Sequence, residues 1–250
     1  MVSVKRVLVL LMLCFATITS IPSSAGDLTE ALKLRDVARV QSLLAAGADA
    51  NEKVRGDYPL NIAATYGPVE MVTILLEAGA GLEQPGRDGL HPLHNAVNLG
   101  HRDIVALLIQ KGAVVDAKEN KGRTPLVSFA ATGGSDIEIA RMLLAAGADP
   151  GIESASDEDN YTALDYTAET GGVELAELLI AAHADVNHRQ GYRGDTALLD
   201  AVYHDHLEIV RLLIAHGADV NLANKLGQRP LFFAAGNPEM QLLLVAAGAK

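Results

Sequence analysis

At 250 residues the chain has room for one large core, yet Leu and Ala dominate, aromatic residues make up 4% and Trp is absent, which suits thin, closely packed helices better than a deep ligand cavity. Acidic side chains outnumber basic ones, 31 to 20, for a formal charge of −11. That balance disfavours nucleic acid and anionic membrane surfaces as partners, since both demand clustered positive charge.

The N-terminus differs in kind from the rest. Lys5 and Arg6 precede an apolar run from Val7 to Ile18, followed by Pro22 and the small residues Ser23, Ser24 and Ala25. A positive start, a short apolar core and a small-x-small site predict a secretory signal peptide over 1–25, cleaved after Ala25. The apolar run is short for a membrane span, which needs about 20 residues, although an uncleaved anchor is the alternative. Cleavage would remove Lys5, Arg6 and no acid, taking the formal charge from −11 to −13, and would remove Cys14, the chain's one cysteine. The mature part, 26–250, would then have neither disulfide nor thiol chemistry in an oxidising compartment.

From residue 27 onward one phrase returns. Helix-like runs end in Gly47-Ala48, Gly79-Ala80, Gly112-Ala113, Gly147-Ala148, Gly217-Ala218 and Gly248-Ala249, and His183-Ala184 fills the largest gap. Successive spacings are 32, 33, 35, 36, 34 and 31 residues. A period near 33 predicts small units stacked in a row, each burying its apolar face against its neighbours. Within one period, Pro92 suits a helix start, Ala96 and Val97 allow close approach, and Gly100 turns the chain. Ile104, Val105, Leu107, Leu108 and Ile109 then recur at helical spacing, and Gly112 stops that second helix.

The segment DGLHPLHNAVNLGHRDIVALLIQKGAVVDAK resembles the ankyrin repeat, as does GDTALLDAVYHDHLEIVRLLIAHGADVNLA at 194–223. A tetratricopeptide array has a similar period but lacks the Thr-Pro-Leu start and the Gly-Ala-Asp-Val-Asn ending. Pro59-Leu60, Pro92-Leu93, Pro125-Leu126, Ala163-Leu164, Ala197-Leu198 and Pro230-Leu231 mark six starts downstream of a shortened first unit. The resemblance implies an all-α solenoid with short hairpin-like loops, of about seven helix-turn-helix units including two caps. The units run approximately 27–53, 54–86, 87–119, 120–157, 158–191, 192–224 and 225–250. At the first cap, Asp27 with Glu30 reads as a capping box, and both caps are expected to turn polar outer faces to water.

Three departures stand out. Thr132–Asp136 adds about two residues between the helices of the fourth unit. Residues 148–161 lengthen the next finger by about three and carry Glu153, Asp157, Glu158 and Asp159. That finger reads as a solvated insertion, which costs little, ahead of a contact loop or a weak calcium site at Asp157, Asp159 and Asn160. His183 replaces a helix-ending glycine, which predicts a locally weaker fifth unit. Of the eight histidines, His94, His101 and His206 fall where the family carries structural histidines. His204 and His206, if helical, would point about 200° apart and could not share a metal. No metal site, cofactor or catalytic residue is expected, since no nucleophile elbow, phosphate loop or H-E-x-x-H motif is present.

The resemblance places partners on a concave face made by the fingers and first helices. Carried over, that face comprises Lys53, Arg55, Asp57, Thr65 and Tyr66, then Arg87, Leu90, Asn98 and Leu99. It continues with Lys121 and Arg123, then Tyr161, Glu169 and Thr170, then Arg193, Asp195, Tyr203 and His204. Tyr and Arg are enriched at the energetic centres of interfaces. The expected function is a non-enzymatic scaffold binding a protein partner. It would be monomeric and periplasmic, touching neither nucleic acid nor, after cleavage, membrane. A secreted effector binding a host protein is the alternative, and a partner with some negative charge would suit the arginines.

Overall fold

A computed structural model describes residues 25–155 and 160–250. The expected leader up to Ser24, and Asp157, Glu158 and Asp159 of the long finger, lie outside those residues.

Fourteen α-helices and no β-strand occur among the described residues, with two isolated bridges, Val54 with Asp57 and Gln190 with Asp195. The helices come in seven pairs: α1 (Ala25–Lys33) and α2 (Val37–Ala45); α3 (Pro59–Tyr66) and α4 (Val69–Glu77); α5 (Pro92–Asn98) and α6 (Arg102–Gln110); α7 (Pro125–Ala131) and α8 (Ile137–Ala145); α9 (Ala163–Thr170) and α10 (Val173–Ala181); α11 (Ala197–Tyr203) and α12 (Leu207–Ala215); α13 (Pro230–Phe233) and α14 (Pro238–Ala246). All six expected starts are first helical residues. Proline brings a preset φ to that position. Where Thr124, Thr162 and Thr196 precede, the side-chain oxygen accepts a backbone N–H from the third helical residue.

First helices pack on first helices, and second helices on second. Leu60, Leu93, Leu126, Leu164 and Leu198 sit one residue into the first helices, and Leu75, Leu108, Leu143, Leu179, Leu213 and Leu244 line the second; all are buried in one continuous core. Each such leucine contributes about 1.5–3 kcal/mol by leaving water. Ion pairs of Arg102 with Asp136, Arg141 with Glu174, and Arg211 with Glu239 tie neighbouring second helices together. They are largely exposed and add little.

The recurring helix end has a specific geometry. Its six glycines take φ between +85° and +95°, and His183 is forced to +69°. The alanine that follows donates its N–H to a carbonyl five residues back, as Ala113 does to Leu108 and Ala184 to Leu179, satisfying an otherwise orphaned helix end. Four residues past the helix end, a side chain reaches the next unit. Asn51 donates to Gly79 O and accepts from Gly81 N. Asn187 does the same at Gly217 and Asp219, and Asn221 at Gly248 and Lys250. Glu83 and Asp116 keep the accepting half, from Val114 N and Asp149 N.

The fourth unit carries Gly151 at that position, so no such rung spans to the fifth. The carbonyl and amide left without it belong to His183 and Asp185, so both irregularities meet at one seam. Gly151 already makes the same local turn as Asn51, Asn187 and Asn221, each backbone N–H bonding the Asp two residues before it. Gly151→Asn should therefore build the missing rung, and His183→Gly should relieve the left-handed strain. Each is expected to stabilise by about 1 kcal/mol, raising Tm by about 2–4 °C; a fall in calorimetric Tm for either would contradict its assignment.

The two insertions have different explanations. From α8 to α9 the finger is three residues longer than the one from α6 to α7. Its base is closed by Ser154 N–H to Tyr161 O, and Ala155 N–H bonds Lys121 O on the preceding finger. Between α7 and α8 the loop 132–136 is two residues longer than 99–101. Its Gly134 lies so close to the buried Phe129 ring that a Cβ would come within 2.3 Å of it. Phe129 stands where the other first helices carry Ala63, Ala96, Thr167 and Ala201, so the extra loop makes room for one large ring.

Two expectations about the caps are corrected. Asp27 lies within α1 (Ala25–Lys33), so it is a helical residue and not the cap ahead of the helix. The last unit is not polar outside, since Leu242, Val245 and Phe232 are exposed.

Candidate functional site

The residues named for the binding face gather in separate depressions. Asp57, Thr65, Tyr66, Arg87 and Leu90 line one, together with Lys33 and Asn61. Asn98 and Leu99 border a second, beside Phe129 and the loop 132–136. Tyr161, Glu169, Arg193, Asp195, Tyr203 and His204 line a third of 200 Å³, with Leu199, Asp200 and Phe233. Tyr66, Leu99 and Tyr203 are 50%, 51% and 66% exposed. Tyr203 stands edge-on to Phe233, ring centroids 5.8 Å apart, and to His204.

The arginines do not form a free cationic strip. Arg87 Nε donates to Arg55 O and lies 3.2 Å from Asp57, whose carboxylate also takes the Arg87 N–H. Arg123 Nε lies 3.1 Å from Glu119, a carboxylate whose side chain is 2% exposed. Arg193 is shared between Asp195 and Gln228. These three charges are matched within the scaffold, whereas the exposed Arg55 on the same face has no ion pair among the described residues. Arg123 in particular is a structural residue.

The histidines largely follow the family pattern. His94, buried, donates Nε2–H to Arg123 O in the next finger; His101 reaches Ala64 O, and His206 reaches Glu169 O. Burial holds His94 neutral, its pKa lowered to about 4. Asn61 makes the corresponding link to Leu90 O. His204 and His206 are not helical: they flank Asp205 (φ +63°) in the turn between α11 and α12, rings stacked 6.1 Å apart. Among the described residues no three His, Cys, Asp or Glu side chains group to hold a metal.

In the fifth unit the position of His94 is taken by Asp165, and the partner changes with it. The next finger supplies His188, whose Nδ1 lies 2.9 Å from Asp165 and Nε2 3.0 Å from Glu153. Both ring nitrogens donate, and the Asp165 hydrogen bond, opposed by burial and reinforced by both charges, raises His188 to about 9. Nothing in the repeat pattern flags His188. The departure from His to Asp at 165 was the available clue.

This sets the pH dependence of stability. Because His188 binds its proton more tightly folded than unfolded, its contribution is full below about 6.5 and lost as pH rises through about 9. His94 adds stability as pH rises from about 4 to 6.5, while Asp200, its pKa raised to about 7 by burial and neighbouring carboxylates, removes it over nearly the same range. Above pH 7 the His188 trend dominates, with the end of the Asp200 titration adding to it in the same direction. Discounted for partial exposure, it amounts to about 1–2 kcal/mol between pH 7 and 9. Thermal melts should show Tm falling over that window in the native chain and falling much less in His188→Gln; a native Tm rising from pH 7 to 9 would refute the assignment.

A family model described as ankyrin repeats (3 copies) matches residues 28–119, 113–190 and 168–250, nearly all of the described chain. The chain belongs to the ankyrin-repeat family. It is 37% identical over 101 residues to ankyrin repeat and SAM domain-containing protein 6 of Rattus norvegicus, covering 40% of this chain and 11% of that protein. An ankyrin repeat-containing protein of Treponema pallidum is 42% identical over 101 residues, covering 40% and 33%. The ankyrin array thus matches a third or less of the length of these relatives. The crystal structure of the human ASB11 ankyrin repeat domain superposes with a TM-score of 0.76 at 24% identity, over 89% of this chain and 98% of that one. The fold is therefore an all-helical ankyrin solenoid, in general a scaffold for protein–protein interaction. No described helix is long and apolar enough to cross a membrane.

Proposed function

We propose that this ankyrin-repeat chain is an exported, non-enzymatic scaffold that binds a protein partner through its concave face of fingers and first helices. It would act as a monomer without cofactor, in a periplasmic or extracellular compartment. The supporting observation is the set Tyr66, Leu99 and Tyr203, large exposed side chains that each border a depression at the first helices. Partly exposed aromatics backed by rigid helices suit interface anchors. The leader-like N-terminus supports export.

The test pairs crosslinking in the native compartment with affinity capture by a Tyr66→Ala, Leu99→Ala, Tyr203→Ala variant. Arg123 is kept, because its loss would leave the buried Glu119 without its ion pair. Capture should drop about 100-fold at unchanged Tm; undiminished capture would sink the proposed face. N-terminal sequencing of the exported protein should begin at Gly26, and recovery only from the cytoplasm would remove the exported part of the reading.

A further inference from the structure

The depression between α9, α11 and α13 is chemically unlike the other two. Its border carries Glu169, Asp195 and Asp200 with the rings of Tyr161, Tyr203 and Phe233. The one cation there, Arg193, is already engaged by Asp195 and Gln228. The Glu169 side chain, exposed on α9, makes no ion pair or hydrogen bond among the described residues.

Behind the rim, outside its lining, two buried acceptors also lack a hydrogen-bond partner. Asp200 accepts from the Gln190 side-chain amide, and buried Gln190 keeps Oε1 without a hydrogen-bond partner. Buried Asp165, whose charge acts on Asp200, keeps Oδ1 without one. Glu169 and Asp200 line this aromatic-walled opening without a cationic partner, Asp195 being already paired with Arg193, and their free oxygens call for hydrogen-bond donors and positive charge. A guanidinium or ammonium supplies both, and aromatic faces attract it further. A neutral donor supplies no charge, and an anionic group supplies neither.

We propose that this depression is the socket for a lysine or arginine side chain projecting from the protein partner. The assignment rests on the concave face being the binding face, and it gives that partner a basic residue opposite α9 and α11. Charge complementarity agrees, since the array is strongly acidic and Arg193, the cation at the rim, is already paired with Asp195.

Seating a cation beside Asp200 favours its ionised form. That carboxyl is held up to about 7 by burial, opposed by the Gln190 hydrogen bond and reinforced by Asp165, Asp195 and Glu169. Binding should therefore take up the cation with release of a proton and tighten as pH rises from 6 to 8.

The experiment titrates isotope-labelled protein with the capped pentapeptide Gly-Ser-Arg-Ser-Gly and its Lys, Gln and Glu counterparts, followed by amide chemical shifts. The Arg and Lys peptides should shift Glu169, Leu199 and Tyr203 saturably, more tightly at pH 8 than at pH 6, and the Gln and Glu peptides should not. Glu169→Gln, an exposed change that leaves the core untouched, should weaken the Arg peptide about tenfold, and Asp200→Asn should abolish the pH dependence. Equal binding of the Gln peptide, shifts centred elsewhere, or full affinity in Glu169→Gln would overturn the socket. Loss of the socket with partner capture still sensitive to Tyr66 and Leu99 would leave the binding face standing. A working socket with capture insensitive to those residues would remove the face instead.

Discussion

Phe129→Ala is expected to destabilise the array by about 3–5 kcal/mol, although alanine is the residue that three other first helices carry at that position. Comparison among repeats alone would score the change as neutral or favourable. The packing says otherwise: Phe129 is 2% exposed, and loop 132–136 has gained two residues and Gly134 to fit around its ring. Removing the ring leaves a loop shaped for it and a cavity that α7, α8 and the loop cannot close. At about 2–4 °C per kcal/mol for a chain of this size, Tm should fall by about 6–20 °C. Because α7 lies mid-array and each unit is stabilised mainly by its neighbours, weakening it should also split unfolding into two steps, visible as a broadened or biphasic urea transition. Shortening the loop by two residues together with Phe129→Ala should recover most of the loss, through coupling between adjacent sites. A loss below about 1 kcal/mol would show that the insertion is not built around the ring.

The repeat was legible because its geometry forces residue types. A left-handed helix end selects glycine, a first helical position tolerates proline, and close helix approach selects alanine; each recurs at a fixed interval in the sequence. His183 was readable as an exception for the same reason. Interactions without periodic spelling were hidden. His188 is invisible until Asp165 is seen to occupy the place of His94, and the function of Gly151 emerges only when Asn51, Asn187 and Asn221 are seen bridging to the next unit. The candidate face is assigned by position, and the structure corrects the charge state of three of its arginines. Arg87, Arg123 and Arg193 look like free cations along the sequence, yet Asp57, Glu119 and Asp195, each within four residues or one unit, neutralise them. Side-chain direction at a finger, set by tertiary packing, decided which charges met.

Arg123 shows what that pairing is worth. In Arg123→Ala the Glu119 carboxylate stays buried with only backbone N–H groups to bond. In the native chain desolvation pushes its pKa up, but hydrogen bonds from Lys121 and Arg123 and the guanidinium charge outweigh burial and hold it below the usual carboxylate value. A carboxylate depressed in this way contributes stability that is present at neutral pH and lost on acidification. The variant should therefore be less stable by about 2–3 kcal/mol at pH 7, and the difference should shrink toward pH 3, where Glu119 is protonated in both proteins. Arg123→Ala with Glu119→Ala should recover part of the loss, since no charge is left unpaired. His94 adds a reporter, because it donates to the Arg123 carbonyl: hydrogen exchange at residues 119–124 should accelerate while α1 to α4 stay protected. If Arg123→Ala abolished partner capture at native stability, Arg123 would be a contact residue after all. If capture falls only as far as stability does, the guanidinium belongs to the finger, and the partner is met by Tyr66, Leu99 and Tyr203.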